Sequence, residues 1–451
     1  MQKNYLLSDK LAVKLYDKVV KDLPIIDYHN HLNFKNIADN ASFDNITQLW
    51  VSSDPYKHRA MRILGVDEKF ITGDSSDYEK FEAWYNSLKD LMGNPLFDWS
   101  ILELKKVFNY ELLPFQDAKI VWNILNEKLK TLKTNDILSV FNIEYSAPCA
   151  SIIDDISVYD KTKNYAPSLR GDDFLLPTKD FILKLSSVSN NPINSIDDYF
   201  KSIEIRLGDF KRVGAIFSDH ALDNGFKYLK DDGKNEDRFN AILNGEELSS
   251  EDKINVKSFI LCNVAILYSK LKFSMQLHIG AERFTSTKLR SAVGPAGGFA
   301  GIGSTVDVKS LTTFLDDVDL SSYGLPKTVL FTLNPSDNAV MATLSGSYSK
   351  GGTKGLVTQG PAWWWCDHYE GIMEMLTNFI SHSVLSTFIG MTTDSRSILS
   401  FVRHDYFRRI VCTFISNNVK IGRIPNDYKL LEDLAKKICY QNAKDLIGEQ
   451  K

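Results

Sequence analysis

Seven short runs of apolar and β-branched residues, each ending abruptly in polar or small ones, limit what this chain can fold into. They are "LPIIDYHNH" from Leu23, "FNIEYSAPC" from Phe141, "VGAIFSDH" from Val213, "FSMQLHIG" from Phe273, "KTVLFTLNP" from Lys327, "KGLVTQGP" from Lys354 and "STFIGMTTDS" from Ser386. Unbroken apolarity over so few residues suits strands buried on both faces, as in a parallel sheet. Helical periodicity fills the gaps, for instance Leu311, Phe314 and Leu315 after "STVDVKS", and Phe407, Ile410, Val411, Phe414 and Ile415 after "TTDSRS". Strand, polar loop and helix form the repeating unit of a (β/α) fold, and one such barrel with insertions can exceed about 400 residues. The 451 residues therefore read as a single α/β domain, 1–451. Two stretches break the alternation. Residues 36–133 are charged, aromatic and helical in pattern, which predicts an inserted helical subdomain. The segment "LKDDGKNEDRFNAILNGEELSSEDK" is polar, which predicts an exposed excursion with a helical piece near Phe239 to Leu243.

Composition narrows the partners. With 53 basic and 57 acidic residues the formal net charge is -4, so no global positive field exists to hold nucleic acid or an anionic membrane, and an anionic ligand must be met by a few local arginines. Cys149, Cys262, Cys366, Cys412 and Cys439 are far apart and odd in number, with no Cys-x-x-Cys pair. That pattern predicts buried, reduced thiols in the cytoplasm rather than a disulfide framework or zinc ribbon. The N-terminal segment lacks the pattern of a signal peptide, and the most apolar later run, 259–271, is interrupted by Asn263, Ser269 and Lys270, so no membrane span is expected.

Polar residues bunch where the runs end, at the edge where such folds place their sites. The first run carries His29 and His31, two of only eight histidines, and side chains two apart on a strand point the same way. Asp394 ends the last run. If the first and last strands are neighbours in a closed barrel, Asp394 returns beside both histidines, and two imidazoles with one carboxylate suit Zn²⁺ or a similar divalent ion. His278, in "QLHIGAE", is a further ligand or a group behind the ligands, and Asp219 and His220, in "SDHALD", stand in a similar place. Arg396 follows Asp394 by two, where a guanidinium can hold a carboxylate or developing oxyanion; Arg170 and Arg283 are further candidates. Trp363, Trp364 and Trp365 follow a predicted strand and Gly-Pro, and aromatic walls suit the faces of sugars.

"DYHNHL", "YKHRAMRILGVDEKFITG", "QLHIGAERFTST", "LNPSDNAVMAT", "GPAWWWCDH" and "GMTTDSRSILSFVRHDYFRRIVC" together resemble the uronate (glucuronate) isomerase family, a divergent branch of the amidohydrolase superfamily. The likeness runs in order over nearly the whole chain. It implies a distorted (β/α)8 TIM barrel with a helical insertion that interconverts aldose and ketose forms of hexuronic acids, D-glucuronate with D-fructuronate and D-galacturonate with D-tagaturonate. It implies His29, His31 and Asp394 as ligands of one divalent cation, Zn²⁺ with Mn²⁺ as the alternative. It also implies Tyr56 and Arg396 at the reacting centre and Arg170 on the substrate carboxylate; beside these, the reading of the residues themselves puts His278, Trp363 and Trp364 among the expected substrate contacts. The chain departs from the pattern at Pro55 and Asp98, where histidines are expected. The alternatives are a metal-dependent amidohydrolase or deaminase and a catalytically weak uronate-binding barrel. Apolar helix faces on a barrel of this size predict a homo-oligomer whose partner is the small-molecule hexuronate.

Overall fold

The computed structural model describes residues 4–450. Seven strands form one curled sheet: β1 (Ile25–Asn30), β2 (Ile143–Ser151), β3 (Ser168–Arg170), β4 (Phe217–Leu222), β5 (Ser274–Ile279), β6 (Thr328–Thr332) and β7 (Val357–Gln359). They lie side by side in chain order and every neighbouring pair is parallel. β1, β5 and β6 are buried at every position, as continuous apolar runs require of strands covered on both faces. Six of the seven runs supply strands. β3 was not anticipated, since three residues make no apolar run.

The seventh run, 386–395, forms no regular strand. After a tight turn at Leu385–Thr387 the backbone passes through Gly390 at φ +84° and Asp394 at φ +45°, left-handed conformations that a strand does not hold. Its end still docks on β1: Asp394 N–H donates to the His29 carbonyl at 3.0 Å and His31 N–H donates to the Ser395 carbonyl at 2.9 Å. The irregular segment thus takes the eighth position, which is how the (β/α)8 barrel is distorted.

Between β1 and β2 all the regular elements are helical, from Phe34–Ala38 to Thr134–Ser139. The polar excursion contains the helix Asn235–Asn244. The run 259–271 belongs to a longer helix than expected, Ser250–Leu271, which by length and composition alone could cross a membrane. It packs instead against β5 and the helices Ile196–Arg212 and Val308–Asp319, as an outer helix of the barrel. At the strand-start end, Ala443, Leu446 and Ile447 of the last helix, Asn442–Gln450, share a hydrophobic cluster with Ile26, Tyr145, Val329 and Ile389.

One buried carboxylate fastens the seam between β1 and the eighth segment. Asp27 has no exposed surface and accepts from Thr392 Oγ1 (2.9 Å), Thr393 N (2.6 Å), Thr393 Oγ1 (2.8 Å) and Asn30 Nδ2 (2.8 Å), with His404 Nε2 at 3.4 Å. Burial alone would raise this carboxyl, yet His404 and the Thr393 donors bring it below the usual carboxylate range. Asp27→Ala, which strands these donors in the interior, is expected to cost about 3–5 kcal/mol, read as a fall in the denaturation midpoint. Because the folded value is depressed, that advantage of the wild type is complete above about pH 4, the unfolded value, and fades only as pH falls below it.

Candidate active site

The ends of the strands open into one cavity of about 430 Å³. His29, His31, Tyr56, Arg170, His278, Trp363, Trp364, Asp394 and Arg396 line it, as do Asp219 and Arg283, whereas His220 is buried outside it with Nε2 2.9 Å from the Tyr268 hydroxyl. These lining residues come from β1, the first turn of the helix Pro55–Ile63, β3, β4, β5 and the segment after it, the loop after β7 and the eighth segment, so only barrel closure could assemble them.

Asp394 is the convergence point. His29 Nε2 lies 3.2 Å and His31 Nε2 2.9 Å from its Oδ1. The two rings stand edge to face with centroids 5.1 Å apart. Oδ2 accepts from the indole N–H groups of both Trp363 and Trp364. Oδ1, although buried, has no hydrogen-bond partner among the described residues, and the two imidazole nitrogens are its close neighbours. Burial alone would raise this carboxyl, but His29 and His31 pull it well below the usual carboxylate range. Two ring nitrogens crowding one ionised, unsatisfied oxygen are the donor set that a divalent cation fits. Strain gathers at the same place. Asp394 (φ +45°) and Trp364 (φ +46°) both adopt left-handed backbone, uncommon for an aspartate and an outlier for a residue as bulky as tryptophan.

A second grouping overlaps the first, because the ligand atoms of His29, His31 and Cys149 lie within 4.8 Å of one another. Cys149 Sγ, however, faces His29 Nδ1 at 3.6 Å, the edge opposite Nε2. One imidazole cannot offer both edges to the same ion. The Nε2 edge, with Asp394 and its unsatisfied oxygen, is the better fit. Cys149, expected to be an inert buried thiol, is instead half-buried beside the site.

His278 stacks on Phe331 with centroids 4.4 Å apart and an interplanar angle of 15°, and its ring lies 4.4 Å from His29. Burial, reinforced by the neighbouring His29, pushes it well below its ordinary value, so the ring is neutral. Its Nε2 is buried and has no hydrogen-bond partner among the described residues. Arg170 Nε and Nη2 bond Asp172, each at 2.9 Å, while Nη1 lies 3.4 Å from His31 Nδ1. The next residue must be small, since a Cβ on Gly171 would sit 2.0 Å from the His220 ring. Arg283 pairs with Asp223 at 2.6 Å and lies 5.0 Å above the Trp364 ring. Arg396 is exposed at the cavity mouth.

Tyr56 sits in the first turn of its helix, capped by Asp54, whose carboxylate accepts from Tyr56 N at 3.0 Å. Pro55 is the first helical residue, a position that needs no N–H, and it too lines the cavity. Asp98, the other departure from the expected pattern, is not among the cavity's lining residues; it lies beside Tyr5. The Tyr56 hydroxyl is buried and has no partner among the described residues, and burial raises it well above its ordinary value even with Arg403 opposing, so it remains a neutral donor. Arg403 was not singled out in the sequence. It is buried between Trp99 (3.9 Å) and Tyr56 (4.9 Å), and its Nη1 donates to the Thr393 carbonyl at 3.2 Å.

A parallel barrel with titratable groups gathered at the carboxyl ends of its strands defines an α/β-barrel enzyme with a candidate cation site. The glucuronate isomerase family profile matches residues 1–447. The chain belongs to that family. It is 38% identical to a uronate isomerase of Clostridium acetobutylicum, covering 98% of this chain and 97% of the relative. It is also 38% identical to one of Caldanaerobacter subterraneus subsp. tengcongensis, covering 99% of each. The crystal structure of a uronate isomerase from Thermotoga maritima superposes with a TM-score of 0.92 at 27% identity, covering 99% of each chain.

Trp364→Phe removes one of the two N–H donors that hold Asp394. It is expected to weaken divalent-metal binding about tenfold, as loss of an outer hydrogen bond to a metal ligand does, measured by competition with a chromophoric chelator.

Proposed function

We propose that this chain is a uronate isomerase, interconverting D-glucuronate with D-fructuronate and D-galacturonate with D-tagaturonate. The observation that carries the reading is the meeting of His29 Nε2, His31 Nε2 and Asp394 Oδ1 in a cavity that also holds Arg170 and Tyr56. The reaction moves one proton between C2 and C1 through an enediol while the neighbouring oxygens exchange carbonyl and hydroxyl character. It needs a base, a donor and a grip on the remote carboxylate. His29, His31 and Asp394 would hold the cation, which we take to be Zn²⁺ with Mn²⁺ as the alternative, and when bound it supplies Lewis-acid polarisation of the substrate oxygens.

The environments divide the remaining work. Asp394, kept ionised by its histidines, takes the proton from C2 and returns it to C1. The Tyr56 hydroxyl, kept neutral by burial, donates to the oxygen on which charge develops, and Arg396 adds a positive charge from the mouth. Arg170 grips the C6 carboxylate and fixes the sugar's reach toward Asp394. Trp363 and Trp364 wall the sugar while holding Asp394. The all-helical stretch 36–133, which delivers Tyr56, is read as a subdomain inserted after the first strand. A cytoplasmic homo-oligomer completes the reading.

The test is ketose formation from glucuronate and galacturonate. Chelator should abolish turnover, and added Zn²⁺ or Mn²⁺ should restore it. Arg170→Ala should raise KM about 10- to 100-fold, the worth of a charge-assisted contact, with kcat less affected. His29→Ala should lose metal by elemental analysis. Full metal content in that variant, or wild-type turnover of neither uronate, contradicts the proposal.

A further inference from the structure

Behind the cation side of His29 lies a polar chain that the reaction does not use. Cys149 on β2 pairs with Ser168 on β3, Ser168 pairs with Phe217 on β4, and Asp219 follows two residues on, so the three side chains meet across adjacent strands. Asp219 Oδ1 accepts from Ser168 Oγ at 2.9 Å and from Cys149 Sγ at 3.4 Å. Cys149 Sγ lies 3.6 Å from His29 Nδ1, whereas Asp219 Oδ1 is 3.8 Å from that nitrogen. A direct hydrogen bond to a carboxylate does not reach 3.8 Å, but sulfur's larger radius suits 3.6 Å.

Counting protons then sets the direction of every bond. An ionised carboxylate only accepts, and a thiol has one proton. If that proton goes to Asp219, the sulfur is left to accept, and the donor facing it must be His29 Nδ1–H. An imidazole with its proton on Nδ1 presents a bare lone pair at Nε2, the edge that faces Asp394 and His31.

We propose that Cys149 is a positioning residue: its thiol links the Asp219 carboxylate to His29 Nδ1, fixing the tautomer and ring orientation that aim Nε2 at the cation, and it is not itself a ligand. Metal-binding histidines usually rest their second nitrogen directly on a carboxylate or carbonyl; here a thiol fills the gap. The inference rests on the reading that His29 and His31 hold the ion through Nε2.

The experiment uses the full-length protein loaded with Co²⁺, comparing wild type, Cys149→Ala, Cys149→Ser and Asp219→Asn by chelator competition and by absorption spectrum. Cys149→Ala and Asp219→Asn should bind cobalt about 10- to 100-fold more weakly. Cys149→Ser, which keeps one donor and one acceptor on a smaller atom with a shorter bond, should recover part of the affinity lost in Cys149→Ala, a partial rescue that simple filling of space would not give. The wild-type spectrum should show ligand-field bands without a near-ultraviolet thiolate-to-cobalt band. Such a band, lost in Cys149→Ser, would make Cys149 a ligand and overturn the proposal, as would wild-type affinity in Cys149→Ala. Failure of the wild type to take up cobalt would overturn the cation reading itself, and the thiol link with it.

Discussion

The Asp27 carboxylate, sealed from water and surrounded by donors from Thr392, Thr393, Asn30 and His404, is the constraint on which the rest of this structure depends. A buried charge is tolerable only if its hydrogen bonds are complete, and these can be complete only when the first strand lies against the last segment. Two residues beyond Asp27 is His29, and one beyond Thr393 is Asp394. The contact that closes the barrel therefore also sets the distance between the His29 ring and the Asp394 carboxylate. Closure and site geometry are one requirement, met by two stretches more than 350 positions apart.

Much of this was visible in the sequence because parallel strands buried on both faces leave unbroken apolar runs, and because such folds carry their chemistry where those runs stop. His29, His31, His278 and Asp394 stand at run ends and were legible on that ground alone. Arg396 was legible from its place two residues beyond Asp394, whereas Tyr56, and the choice of Arg170 over other candidate arginines, needed the resemblance to a family. The expected eighth strand failed for a backbone reason. Phe, Ile and Thr content suggests extension, but Gly390 and Asp394 turn left-handed, and in that conformation the Asp394 carboxylate meets both imidazoles. β3 escaped notice because its three residues, Ser168–Arg170, are too few to show a period.

What composition and spacing could not reveal were roles that exist only between strands. Cys149 looks like any isolated thiol until β2, β3 and β4 are set side by side. The tryptophans of "GPAWWWCDH" suggested a wall for a sugar, and they do line the cavity, but the indole N–H groups of Trp363 and Trp364 also converge on the carboxylate of Asp394. Arg403 is one of several arginines in a basic helix, and only the fold shows its guanidinium buried between Trp99 and Tyr56. In each case one aromatic or polar side chain serves packing and chemistry together, and a one-dimensional pattern reports only the packing.

The last helix stops the barrel at its strand-start end with Ala443, Leu446 and Ile447. Among the described residues the cavity therefore opens on the face where Arg396 stands. In a reversible interconversion this means that aldose and ketose pass the same threshold in opposite directions. Each must vacate before the other enters, so accumulated ketose slows its own production by occupancy alone.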